Sequence, residues 1–89
     1  MEMSPVLHNF FTRRERLINE LATTGRQLTL WYEARRHSEP TLRELASLEG
    51  MLAERRYLLE RLVKLDVDML DHLIEVRADR GSELLPQLP

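Results

Sequence analysis

The sequence predicts an all-α fold: two long helices turned back on one another in an antiparallel, coiled-coil-like helical hairpin that dimerises into a four-helix bundle. Three observations carry this. Apolar residues recur at three- and four-residue spacing from Leu7 to Val76. One cluster of helix-breaking residues, Ser38-Glu39-Pro40-Thr41, interrupts that pattern. The apolar face of the second half is too wide for a single partner helix to cover.

The first helix is expected over residues 5–37. Ser4 is placed to cap free amides, and Pro5 suits a first helical position because its missing N–H would have no intrahelical partner there. Leu7, Arg14, Leu21, Leu28 and Arg35 form one stripe. Phe10, Leu17, Thr24 and Trp31 form a second, offset by three, and Phe11, Ile18, Gly25 and Tyr32 a third. The turn is expected at 38–41, since a residue before proline is pushed out of the α region, which makes Glu39 a boundary. Thr41 and Glu44 then have the spacing of a capping box that starts the second helix, expected over 42–80. Gly81-Ser82 is read as its stop, leaving residues 81–89 as a tail that could dock in a groove or fray.

In the second helix the expected seam combines Leu45, Leu52, Leu59, Asp66 and Leu73 with Leu48, Arg55, Leu62, Met69 and Val76. Across an antiparallel pair with this turn, the numbers of facing residues should add to about 80. Leu7 then meets Leu73, Phe10 meets Leu70, Leu21 meets Leu59, and Leu28 meets Leu52. Arg14 falls opposite Asp66, so two polar interruptions neutralise each other and fix the register. Arg55 falls opposite Thr24 and Gly25, where there is room for its long side chain. An expected partner interface lies off the central seam, at Phe11, Ile18, Tyr32, Met51, Tyr57, Leu58, Val63, Leu65 and Leu70, because aromatics and methionine suit exposed anchor positions.

Composition narrows the functions. The chain has 89 residues, the size of a single helical-hairpin domain over 1–89, in which a lone core is marginal. There is no cysteine, so neither a disulfide nor a thiolate metal site is available to staple it. The net charge of -2 gives no global pull toward nucleic acid or anionic membrane. Neither a signal peptide nor a run near the ~20 apolar residues of a membrane span is read in it, so a cytoplasmic protein without a membrane partner is expected.

Chemistry is sparse. No nucleophile-base constellation and no phosphate loop is present, and catalytic residues, cofactors and metals are expected to be none. His8 and His72 fall near each other with Asp68 and Glu75 at helical spacing, but nothing resembles a metal-binding motif. Arg14, Arg35 and Arg55 lie on inward stripes and could clamp a dicarboxylate, as in helical chorismate mutases. The lysine such a site also wants is missing, since the only lysine, Lys64, lies on an outer face.

The expected function is therefore a non-enzymatic protein-protein interaction module, an adaptor, small chaperone or assembly factor, acting through a broad apolar helical face on a second copy or a helical client. The alternative is a small dimeric RNA- or DNA-binding regulator using Arg13, Arg16, Arg35, Arg36, Arg56 and Arg61. Interleaved Glu15, Glu33, Glu54 and Glu60 weigh against it, because mixed signs usually describe a solvated, salt-bridged surface.

Overall fold

The computed structural model describes residues 4–84, with side chains described as far as Asp79. Two helices pack against each other, α1 at Pro5–Ala34 and α2 at Leu42–Leu84. Their lengths are about 45 and 64 Å at the α-helical rise. The longest dimension is 65 Å and the radius of gyration 20.4 Å, against about 12 Å for a compact chain of this length. The hairpin is a single layer of helix, with little of its surface turned inward.

Local chemistry sets the ends. Ser4 Oγ accepts the Leu7 N–H at 3.1 Å, with Pro5 at the first helical position. Thr41 and Glu44 cap α2 reciprocally: the Thr41 N–H donates to Glu44 Oε1 at 2.9 Å, and the Glu44 N–H donates to Thr41 Oγ1 at 3.2 Å. Two boundaries differ from the sequence expectation. α1 stops at Ala34 rather than 37, because the N–H groups of Arg35 and Arg36 donate to the carbonyls of Tyr32 and Glu33, three residues back, which tightens and closes the last turn. α2 continues past Arg80 to Leu84. Glycine permits a left-handed helix stop without imposing one, and this part of α2 runs beyond the start of α1, where none of the described elements demands a turn. Residues 85–89 of the expected tail lie outside the described residues.

The register follows the expected sum. Arg14 Nε donates to Asp66 Oδ1 at 2.9 Å, and the Phe10 and His72 rings lie 5.8 Å apart. On α1 the seam is the expected one, with Leu17, Thr24, Leu28 and Trp31 buried. On α2 it shifts by one residue. Leu58 and Leu65, each 3% exposed, sit at its centre with Phe10, Leu21 and Leu62 packed around them. The seam of α2 thus pairs Leu48, Leu62, Met69 and Val76 with Met51, Leu58, Leu65 and His72, all buried or half-buried.

The expected stripe of Leu45, Leu52, Leu59 and Leu73 stays 41–43% exposed, so the pairs Leu7–Leu73, Leu21–Leu59 and Leu28–Leu52 are not the centre of the seam. Leu70, expected against Phe10, is 55% exposed. Desolvation explains the choice. The stripe not chosen would place Asp66 in the middle of the seam, whereas the one used carries its polar residues at the two ends: Glu44 in the helix cap and His72 at the open end.

Candidate interaction face

The one-residue shift gives the hairpin two unlike flanks. On one side Arg13, Arg16 and Glu20 of α1 face Arg61, Lys64 and Asp68 of α2 across a shallow polar groove. Lys64 is engaged there with Asp68 at 3.2 Å. On the other side the groove is apolar: Ile18, Leu21, Leu28 and Tyr32 of α1 face Leu52 and Leu59 of α2. By helical spacing Phe11, Leu45 and Leu73 extend this face along the molecule. Four residues break it. Arg55 and Gly25 line the groove, and the Arg14–Asp66 pair crosses the same side one turn of the heptad further on.

That ion pair forms as the sequence predicts, but it lies at the solvent edge of the seam. The side chains of Arg14 and Asp66 keep 44% and 40% of their surface in water. A pair so exposed adds at most about 1 kcal/mol to the hairpin itself. Arg55 makes no hydrogen bond or ion pair among the described residues and remains exposed. Gly25 has open space where a Cβ would sit, so nothing inside the hairpin requires a glycine there.

The expected partner residues divide. Phe11, Ile18 and Tyr32 lie on the apolar flank, all exposed. Val63 and Leu70 sit at its α2 edge, where Val63, Val67, Leu70 and Ile74 form a further exposed stripe wrapping to the back of α2. Tyr57 lies on the outer surface under the Arg61 guanidinium, 5.5 Å from the ring centroid. Leu58 and Leu65 are core and Met51 is half-buried in the seam, so these three do not belong to an outer face. The alternation of apolar stripes could not reveal this, since α2 offers leucines on two adjacent stripes. The Thr41–Glu44 cap was the available clue, because it ties Glu44 to the turn end of the seam.

The arginines considered for nucleic acid do not form one surface. Arg13, Arg16 and Arg61 share the polar groove with Glu20 and Asp68. Arg56 lies on a different side, beside Leu45, Glu49 and Leu52. Arg36 is exposed near the turn. Arg35 is committed elsewhere: its Nη1 donates to the Trp31 carbonyl at 3.0 Å and its guanidinium lies 4.6 Å from the Trp31 ring centroid. Its Nε is ion-paired with Glu44, although the N–H is not aimed along that contact. Trp31 Nε1 in turn donates to the Glu44 carbonyl at 3.1 Å. The Glu44 carboxyl is held below its ordinary value of 4.5, chiefly by the Thr41 backbone N–H, with the Thr41 hydroxyl and Arg35 adding, against a partial desolvation that pushes it up. This clasp of Trp31, Arg35, Thr41 and Glu44 closes the turn end of the hairpin.

Among the described residues no three histidine, cysteine or acidic side chains gather as metal ligands, and no helix is long and apolar enough to cross a membrane. No family model matches the chain, and neither a curated protein nor a solved structure matches it.

Proposed function

We propose that this protein is a non-enzymatic protein-protein interaction module, of the adaptor, small-chaperone or assembly-factor kind, whose apolar flank is completed by two further helices into a four-helix bundle. The observation that carries the reading is the row of leucines at 45, 52, 59 and 73, left 41–43% exposed beside Ile18 and Tyr32 on one side of the hairpin. A contiguous apolar surface of this kind on a folded chain marks an interaction site. Total surface argues the same way. The chain exposes 7771 Å², whereas a compact monomer of 10.6 kDa exposes about 5,500 Å². A stable complex needs only about 800 Å² per partner, well within that excess even after the helix ends are discounted. The outer stripe of Val63, Val67, Leu70 and Ile74 is continuous with the flank around α2 and would stay available to a client in such a bundle.

The test is the double variant Leu52→Glu with Leu59→Glu, which charges the flank without touching the seam. Helix content by circular dichroism should persist, while self-association, or in a monomer the binding of an apolar fluorescent dye, should be lost. Dye binding and molar mass unchanged from the wild type would overturn the reading.

A further inference from the structure

The geometry points to a second copy of this chain as the occupant of the apolar flank, docked face to face and end to end in opposite direction, with Asp66 of each hairpin bridging its own Arg14 and the Arg55 of the other. The inference rests on the flank being an interaction surface and names what covers it.

Two hairpins can meet through this flank about a two-fold axis in two ways. If the axis runs across the hairpins, α1 lies over α1 and α2 over α2, each pair antiparallel. The full-overlap register then places Leu59 against Leu62, Leu52 against Met69 and Leu48 against Leu73 on α2, and Ile18 against Leu21 and Phe11 against Leu28 on α1. Each of these pairings is apolar on apolar. The same register sets Arg55 opposite Asp66 and Arg14 opposite Gly25, and it does so twice by symmetry. Shifts of one heptad either way put Asp66 and Arg55 against leucines, leaving Arg55 without a carboxylate and shortening the overlap.

If the axis instead runs along the hairpins, Arg14 meets Asp66 across the interface and Gly25 meets Arg55, but the two Arg55 side chains share one level of the core with no carboxylate. Concentrating two like charges in one place costs more than spreading them over two sites that each hold an acid. Charge therefore selects the antiparallel arrangement. It also accounts for two features the single hairpin leaves unexplained. Arg55 on a leucine-lined groove gains a carboxylate, and Gly25, whose missing side chain is wasted within the hairpin, makes room for the stem of Arg14.

A double-mutant cycle on the dimer dissociation constant and one interchain distance test this. Arg55→Ala should weaken the dimer about tenfold in the wild-type background and have almost no effect in an Asp66→Ala background, as expected for a direct pair. Because the chain has no cysteine, Glu49→Cys provides a unique spin-label site on the exposed surface of α2. Its distance to the same label in the second copy should be about 35 Å in the antiparallel register, given 1.5 Å per helical residue. A distance below about 25 Å, as the parallel arrangement gives, would overturn the inference, and so would additive effects in the cycle. Absence of any interchain distance, in a monomer that still binds an apolar dye through Leu52 and Leu59, would overturn the second copy while leaving the interaction face intact.

Discussion

Trp31 is the side chain on which the turn end depends most, and replacing it by alanine should come close to unfolding the hairpin. The ring is 8% exposed. It carries the Arg35 guanidinium on its face, meets Tyr32 edge-on at 5.3 Å, and donates through Nε1 to the Glu44 carbonyl. Truncating a buried tryptophan costs about 3–5 kcal/mol. An 89-residue chain has a total stability of about 4–13 kcal/mol, so Trp31→Ala should remove about a quarter of it at the least and all of it at the most. Trp31→Phe keeps most of the apolar contact and loses the N–H donor, which is worth about 1 kcal/mol. Tyr32→Ala, at a residue 53% exposed, serves as the control and should cost the hairpin much less than Trp31→Ala. Urea titration followed by circular dichroism at one fixed protein concentration gives all three values. Equal unfolding midpoints for Trp31→Ala and Tyr32→Ala would refute the clasp as the element that closes the turn.

Three further outcomes are expected. The lowered pKa of Glu44 means that its contribution to stability is fully present above the ordinary value of 4.5 and is lost as pH falls through the depressed folded value; wild-type stability should therefore drop below that pH, and Glu44→Gln should flatten the profile measured by urea titration. Leu58→Ala should cost about 2–5 kcal/mol at every protein concentration because the residue lies in the seam. Leu59→Ala should act chiefly by raising the dissociation constant, so a larger loss of hairpin stability for Leu59 than for Leu58 in dilute protein would contradict the observed seam. Gly25→Ala should raise the helicity of the isolated hairpin, glycine being about 1 kcal/mol worse than alanine within a helix, whereas Gly25→Leu should weaken association by filling the space opposite Arg14; the two are read by circular dichroism and by molar mass.

Much of the hairpin is legible in the sequence. Ser4-Pro5 and the Thr41–Glu44 box act through their own backbone neighbours, so their meaning is local and the sequence carries it directly. Arg14 and Asp66 are legible as a pair because two polar residues interrupting apolar stripes need one another, and that constraint survives small errors in helix rotation. The rotation of α2 was less legible. Leu45, Leu52 and Leu59 are as apolar as Met51, Leu58 and Leu65, and stripe counting does not separate adjacent leucine rows. The decision falls to where Glu44, Asp66 and His72 are best solvated, which requires knowing how the ends of the seam are built. Assigning Leu58 and Leu65 to an outer interface followed from that one-residue ambiguity. The end of α1 was missed because Arg35 leaves the helix for contacts with Trp31 and Glu44 that do not exist until the hairpin closes.

The most direct test of the central claim, that the flank formed by Ile18, Leu52 and Leu59 is covered by a second copy, is the molar mass by sedimentation equilibrium across a wide dilution series. The account predicts a species of twice the 10.6 kDa chain mass that dissociates only on strong dilution and is abolished by Leu52→Glu with Leu59→Glu. A wild-type protein that stays at the mass of one chain at every concentration would contradict it.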